Sequence, residues 1–177
     1  MSKINWVYHE NYDIPLKLNH RFTSSKFSDL FYELKKTVLY KNAIINQPKK
    51  ANIIDLSISH SVDYINKIKN GLLNYKEERK LGLTWSKRLS ERSFLAVNGT
   101  LLASKLAISN GIGCHLGGGT HHSHYDYGSG FCVFNDLAYS SLKLIESKIV
   151  KKILIFDCDV HQGDGTARIL SKFDDIF

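Results

Sequence analysis

Long apolar runs are missing from this sequence of 177 residues. Residues 1–6 have no apolar core of the kind that a secretion signal carries, and no segment is long and apolar enough to span a membrane. Cysteine is scarce too. The odd number, Cys114, Cys132 and Cys158, argues against a disulfide framework and predicts three reduced, buried thiols. These absences predict a cytoplasmic protein without a membrane partner.

Dense basic blocks are also absent, although basic residues outnumber acidic ones. The 24 Lys and Arg residues against 17 Asp and Glu residues give a formal net charge of +7. The lysines are scattered, singly or in pairs such as Lys35-Lys36 and Lys151-Lys152. Because a nucleic-acid surface needs clustered charge, we expect this charge to serve solubility, and nucleic acid is not an expected partner.

The remaining composition is that of one ordinary globular domain, with 43% hydrophobic and 23% charged residues and no repeat or linker. Hydrophobic periodicity and capping residues predict the secondary structure. The predicted strands are 5–8, 53–56, 112–116 and 152–156, and the predicted helices are 25–40, 59–70, 90–109 and 135–147. The polar stretch 74–80 is expected to be exposed. This order favours an α/β fold, an open parallel sheet with flanking helices.

Carboxylates interrupt the apolar pattern directly after residues 153–156, which we interpret as a buried strand. Open parallel sheets build their sites at such strand ends. Asp157, Asp159 and His161 alternate, so their side chains share one face of an extended segment. Two oxygen donors and an imidazole suit a divalent metal, and the pattern therefore predicts a metal site here.

A second motif places His121 and His122 directly after the three glycines 117–119. Glycines let the backbone come close to a ligand, and histidine is the natural proton carrier near neutral pH. Alone, the two histidines favour a polar surface loop. Together with the Asp-x-Asp-x-His pattern they indicate an active site.

With these motifs in this order, the sequence resembles the histone deacetylase family of zinc amidohydrolases. That family carries a Gly-Gly-Gly-x-His-His loop, a Gly-Phe-Cys segment with an Asn-Asp pair, and an Asp-x-Asp-x-His-x-Gly-Asp-Gly strand end. Here these motifs stand at 117–122, 130–136 and 157–165. Residues 20–27 resemble the family's entrance loop, and residues 60–64 resemble its His-x-x-x-Tyr helix start. The resemblance implies an arginase/deacetylase-like fold, and Gln162 is similar to the class IV branch and its bacterial relatives.

The resemblance assigns a role to each matching residue of the site. Asp159 and His161 would be zinc ligands. His122 would be the general base that activates a water molecule and then the acid that protonates the departing amine. His121 would assist electrostatically.

Two further carboxylates would each orient one of these histidines. Asp157 would orient His121, and Asp164 would orient His122. Asp157, with the backbone carbonyls of Asp159 and His161, would also contribute to a structural potassium site.

The substrate would enter through a narrow channel. Phe131 would form one wall around an acyl-lysine stem, with Gly130 at its base. Cys132 is either a packed thiol or a residue with an active-site role. The implied substrates are an acyl-lysine protein, an acetylpolyamine or another small acetylated amine.

The family's pattern is incomplete within these residues. Its third zinc ligand, an aspartate, and its carbonyl-polarising tyrosine lie far downstream, whereas only residues 166–177 follow the strand-end motif, and Asp174 and Asp175 are not expected to be ligands. The resemblance thus predicts that residues 1–177 are the N-terminal portion of a single deacetylase-like domain, C-terminally incomplete. We expect weak activity or none from such a piece alone, and docking with its missing C-terminal half along the open edge after residues 152–156.

Two other interpretations remain. An arginase-like metallohydrolase of the same broad fold would prefer two manganese ions, but it would lack the tandem histidines. A metal-free fragment would be inert or would act only as a binding module. Metal titration discriminates between these alternatives.

Overall fold

Three short parallel strands form the sheet in this computed structural model, which describes residues 3–177. The strands are β1 (Ile4–Val7), β2 (Ala43–Asn46) and β3 (Gly113–His115), in the order β2-β1-β3. Trp6 pairs with Ile45 on one side and with Cys114 on the other. The predicted open parallel α/β sheet is therefore confirmed. The first two residues of the predicted domain lie outside the described residues.

Seven α-helices surround this sheet in the described part of the chain. They are α1 (Lys26–Lys35), α2 (Ile53–Leu56), α3 (Val62–Asn70), α4 (Tyr75–Leu81), α5 (Lys87–Asn110), α6 (Asp136–Glu146) and α7 (Asp164–Leu170). Two 3-10 helices lie at Glu10–Tyr12 and Val38–Asn42. None of the helices among these residues has the length and apolarity that a membrane span requires.

The central helix is α5, which packs against β1, β3 and α6. It begins where the Ser86 side chain accepts a hydrogen bond from the Leu89 amide, and it ends at Gly111 with φ +89°. Its Val97 packs into the main core with Phe134 and Tyr139. Burial of each such side chain stabilises the fold by about 1.5–3 kcal/mol. The predicted helices 59–70, 90–109 and 135–147 correspond to α3, α5 and α6.

The strand predicted at residues 53–56 is wrong. Residues 53–56 form α2 rather than a strand, because the Asn52 side chain accepts a hydrogen bond from the Asp55 amide and starts a helical turn. The strand lies earlier, at β2. The polar stretch 74–80 is largely exposed, as predicted, and most of it forms helix α4, which begins with a capping box between Asn74 and Glu77.

The prediction of a buried sheet strand at residues 152–156 is also wrong. Only Ile153 forms a bridge, with Ile176, and the Ile155 amide donates to the Phe177 carbonyl at 2.7 Å. The segment thus pairs with residues 175–177 rather than with β3. Ile153 and Ile155 pack on the cluster around α6 and α7, whereas the alternate Leu154 and Phe156 are 74% and 85% exposed. The side chains of this segment therefore alternate between two faces, but other described residues cover only one of these faces.

Candidate active site

A cleft of about 400 Å³ opens beside the loop that follows β3. Six of the predicted site residues line it: His121, His122, Gly130, Phe131, Asp159 and His161. A larger cleft of about 610 Å³ lies between α2, α3 and α5, but it contains none of the predicted site residues. The smaller cleft is therefore the candidate active site.

Two carboxylates contact the two histidines of this cleft. His121 Nδ1 lies 2.6 Å from Asp157 Oδ2, and His122 Nδ1 lies 2.8 Å from Asp164 Oδ1. The imidazole rings lie side by side, with centroids 4.2 Å apart. The hydrogen bond from His122 lowers the pKa of Asp164 to about 2, and those from the Asp159 amide and from His121 lower the pKa of Asp157. Both carboxylates therefore stay ionised at neutral pH.

One buried carboxylate, that of Asp136, fixes the glycine loop at residues 117–120. Asp136 accepts hydrogen bonds from the amides of Gly119 at 2.9 Å and Thr120 at 2.7 Å, and from the Thr120 hydroxyl at 2.6 Å. A Cβ at Gly118 would lie 2.6 Å from Asp136 Oδ2, so this approach requires glycine. Asp136, from the Asn-Asp pair at 135–136, thus fixes the backbone that presents the histidines.

A buried chain of hydrogen bonds continues from Asp136 towards β1. The Thr100 hydroxyl donates to Asp136 Oδ2 and lies 2.8 Å from His115 Nδ1, while the Tyr12 hydroxyl lies 2.7 Å from His115 Nε2. Burial lowers the pKa of His115 to about 4. A neutral imidazole can donate at Nδ1 and accept at Nε2, so His115 completes this chain without a charge.

The opposite side of the loop rests on another neutral histidine. The Asn135 amide donates to His60 Nε2 at 2.9 Å, so His60 Nδ1 carries the proton and donates to the His124 carbonyl at 2.9 Å. Full burial lowers the pKa of His60 to about 4. The Tyr64 hydroxyl donates to the Val133 carbonyl at 2.8 Å. The His-x-x-x-Tyr pattern at residues 60–64 thus anchors the loop.

Residues 157–165, which carry Asp157 and Asp164, pack closely against this loop at two glycines. A Cβ at Gly165 would lie 2.3 Å from the Ser123 carbonyl oxygen and 2.7 Å from that of His121. A Cβ at Gly163 would lie 2.8 Å from Asp157 Oδ2. Any side chain at these positions would therefore push the carboxylates away from their histidines.

The two predicted metal ligands lie at the outer rim of the cleft. Asp159 Oδ1 accepts a hydrogen bond from the His161 amide at 2.8 Å and lies 3.1 Å from His161 Nδ1. The His161 side chain is 73% exposed, and its ring centroid lies 5.9 Å from that of His122. The described residues contain no cluster of three metal-ligating side chains. A carboxylate oxygen and an imidazole nitrogen fit zinc, but a catalytic zinc site normally takes three protein ligands, so these residues fit part of one.

The aromatic wall of the cleft is built around an unusual backbone conformation. Phe131 has φ +67°, and its ring lies 5.4 Å from that of Phe22 and 5.9 Å from that of His20, centroid to centroid. A Cβ at Gly130 would lie 2.6 Å from His122 Cδ2. Burial raises the pKa of the neighbouring Cys132 thiol to about 11, which favours the packed-thiol interpretation. Cys158, in contrast, is exposed, so the prediction of three buried thiols is wrong.

Sequence reasoning missed two residues of this region. Arg92 lines the cleft from α5, is buried, and donates from Nε to the Tyr12 carbonyl at 2.9 Å. His124 Nε2 lies 3.2 Å from Asp164 Oδ2. The sequence offered two signals for these residues. Arg92 is a charged residue within the apolar pattern of α5, and His124 is a third histidine two positions after His122.

The fold has a close match among solved structures. The crystal structure of the HDA15 HD domain superposes with a TM-score of 0.82 over 99% of this chain and 52% of that one, at 17% sequence identity. The arrangement of sheet and helices is therefore that of the HDA15 HD domain.

Sequence comparison identifies the family. The model of the histone deacetylase domain matches residues 20–177, about nine tenths of the chain, and the chain belongs to that family. An uncharacterized protein of Picosynechococcus sp. is 39% identical over 97% of this chain and 57% of that protein. The acetoin utilization protein AcuC of Staphylococcus aureus is 36% identical over 69% of this chain and 34% of that protein. Histone deacetylase 2 of Arabidopsis thaliana is 29% identical over 93% of this chain and 45% of that protein. The chain thus spans between about a third and somewhat more than half the length of these relatives.

Proposed function

We propose that this chain is the N-terminal portion of a single zinc-dependent deacetylase domain, of bacterial class IV character. It would hydrolyse the amide of an acyl-lysine or a related acetylated amine. The observation that carries the proposal is the pair of His–Asp contacts, His121–Asp157 and His122–Asp164, beside Asp159 and His161 in one cleft. This set combines proton-transfer groups with metal-ligating groups at one place, a combination that supports hydrolysis of an unactivated amide.

His122 is the proposed general base. Its Nδ1 is engaged by Asp164, which leaves Nε2 to accept a proton from a water molecule that adds to the acyl carbonyl. The imidazolium formed in this way is stabilised by the ionised Asp164 carboxylate. It then returns the proton to the departing amine nitrogen, which completes hydrolysis to an amine and a carboxylic acid.

His121 has a different environment and a different proposed role. It is buried, whereas His122 is more open to the cleft, and its Nδ1 contacts Asp157 at 2.6 Å. Its ring lies beside that of His122, so its charge state affects the field at the reacting carbonyl. We assign it an electrostatic role. The further role of Asp157 in a potassium site remains a prediction.

Asp159 and His161 are the proposed zinc ligands. When bound, zinc supplies Lewis-acid polarisation of the substrate carbonyl. The chain offers two of the donors, and a third is expected from polypeptide outside these residues. Phe131 and Phe22 would flank the apolar stem of the substrate, while Gly130 leaves space against His122.

Docking with such a polypeptide is supported by the surface next to these ligands. Leu154, Phe156 and Val160 are all largely exposed, and they lie on the same segment as Asp159 and His161. Exposed apolar side chains of this density mark interaction surfaces. The matched regions make up only 57% and 45% of two of the relatives, which agrees with a covering segment that supplies the missing ligand.

The test is to co-express the chain with the part of the Picosynechococcus relative that it does not match. The reconstituted protein should hydrolyse a fluorogenic acyl-lysine substrate and be inhibited by a hydroxamate, which chelates zinc. Acetylpolyamines and small acetylated amines, assayed in parallel, would narrow the substrate class. A reconstituted, zinc-loaded complex without hydrolytic activity on any of them would contradict the proposal.

Variants of the reconstituted protein separate proton transfer from metal ligation. His122→Ala should lower turnover by about 10²–10⁴-fold with the zinc content unchanged, because a general base contributes that much. Asp159→Ala should lose the zinc itself, measured by elemental analysis. The control is His9→Ala, which removes a histidine outside the cleft and should retain activity.

The alternative function is that of an inert or binding-only module. The observation in its favour is the absence of a three-ligand cluster among the described residues. An arginase-like enzyme with two manganese ions is not supported, since the chain belongs to the histone deacetylase family. If reconstitution yields a stable complex that binds neither zinc nor hydroxamate, the binding-only alternative would replace the hydrolase.

A further inference from the structure

The Asp164 carboxylate is shared between two histidines. Its Oδ1 lies 2.8 Å from His122 Nδ1, and its Oδ2 lies 3.2 Å from His124 Nε2. The other carboxylate of the site differs, because Asp157 contacts His121 and the backbone amide of Asp159. His124 is therefore a second side-chain partner for the carboxylate behind the proposed base.

His124 is itself fixed at both its backbone and its ring. Its carbonyl accepts a hydrogen bond from the buried His60 at 2.9 Å, and its amide donates to the Tyr127 carbonyl at 2.9 Å. Its ring stacks on that of Tyr127, with centroids 4.4 Å apart and planes at 19°. Lys80 Nζ lies over the same Tyr127 ring, 3.1 Å from its centroid. An imidazole held at this many points is a rigid donor rather than a mobile surface side chain.

Asp164 needs such a partner because it is poorly enclosed. Its side chain is 48% exposed, and it stands at the first position of α7. A carboxylate with one contact can rotate about its terminal torsion and exchange His122 for water. A second donor on the other oxygen fixes the carboxylate plane, and the fixed plane selects the Nδ1–H tautomer of His122.

We infer that His124 is a positioning residue, which holds the Asp164 carboxylate so that His122 keeps its proton on Nδ1 and leaves Nε2 free as the base. The inference rests on the proposed function for the use made of His122. The positioning itself is a property of the chain and can be measured without catalysis.

Two substitutions separate the donor from the packing. His124→Phe keeps a flat ring on Tyr127 but removes the donor, whereas His124→Gln keeps a donor near the Nε2 position. The chain is labelled with ¹⁵N-histidine, and the ring tautomers are assigned by nitrogen–proton correlation spectra. The pH is about two units above the ordinary imidazole pKa of about 6.5. His121, bound to Asp157, is the internal control in the same spectra.

The wild-type chain and His124→Gln should show His122 as the Nδ1–H tautomer alone. His124→Phe should lose this single form and show a mixture of tautomers, with the His121 signals unchanged. An unaltered His122 tautomer in a folded His124→Phe chain would overturn the inference, as would equal disturbance of His121 and His122. If His124→Phe does not fold, loss of the Nδ1–H form in His124→Asn but not in His124→Gln supports it, and retention in both refutes it. An inactive reconstituted enzyme would refute the proposed function and leave these spectra unaffected.

Discussion

Acidification should unfold this protein in a pH range set by buried histidines, and His60 offers the sharpest test. In the folded chain its pKa is lowered from 6.5 to about 4, because the ring is fully buried. Below pH 6.5 His60 binds a proton in the unfolded chain but not in the folded chain. The contribution of His60 to stability is therefore complete above pH 6.5 and declines as the pH falls towards 4. Over about 2.5 pH units, at about 1.36 kcal/mol per unit, the loss is about 3 kcal/mol.

A loss of that size is large against the 5–15 kcal/mol that typically stabilises a domain. His115, whose pKa burial also lowers to about 4, should add a loss of similar size. The assay is urea unfolding at a series of pH values between about 7.5 and 4.5. His60→Gln removes one titrating group, so its free energy of unfolding should fall less steeply with acid than that of the wild type, by up to about 1.4 kcal/mol per pH unit.

The matched control is Ser59→Ala, at a buried neighbour of His60. It should lower the free energy of unfolding while leaving its pH dependence as in the wild type. Parallel pH profiles for His60→Gln and the wild type would refute the argument, because His60 would then not be the group that resists protonation in the fold.

Three further outcomes follow from the site geometry. Gly165→Ala should destabilise the fold by about 3 kcal/mol, because its methyl group meets two backbone carbonyls. Gly111→Ala lies in open space but at φ +89°, and it should cost about 1 kcal/mol. Thermal unfolding of the two variants compares these losses of stability. Asp136→Asn should lower the free energy of unfolding by about 2 kcal/mol or more, because an amide cannot accept from all the donors around this buried carboxylate. An unchanged urea midpoint would contradict this. Zinc should bind the isolated chain only weakly in calorimetry and not at all after His161→Ala, and tight stoichiometric binding would show that another ligand exists.

The sequence predicted best those elements whose ends carry explicit signals. Gly111 located the end of helix α5 and Asn135 the start of helix α6, whereas the start of α5, capped by Ser86, was predicted nearly one turn too late. Strand β2 and helix α2 were confused, because a short apolar run such as 53–56 fits either structure. Its identity was decided by the cap at Asn52.

The candidate site divides in the same way. The motif spacing located the histidine and carboxylate residues that line or border the cleft, although their roles remain proposals. The burial of residues 153–156 could not be read from their apolarity, because it depends on which surface covers them. The contacts of His124 and Arg92 join residues 40 and 80 positions apart, and no local pattern encodes such contacts.

The pairing of Ile153 with Ile176 makes residues 151–177 a small unit closed on itself. The unit meets the rest of the molecule through Leu170 and Ile176, which pack on α6, and through polar contacts. The Thr166 amide donates to the His121 carbonyl at 3.0 Å, and Asp157 and Asp164 contact the histidines of the loop. Because many of these attachments are polar and Leu154, Phe156 and Val160 leave one face of the unit exposed, we expect the unit to open as a whole at a free energy below that of global unfolding. Each opening would separate both carboxylates from their histidines at once. The fraction of molecules with an assembled site is then an equilibrium that a covering segment can shift, and amide hydrogen exchange at Thr166, whose hydrogen bond crosses to His121, reports it directly.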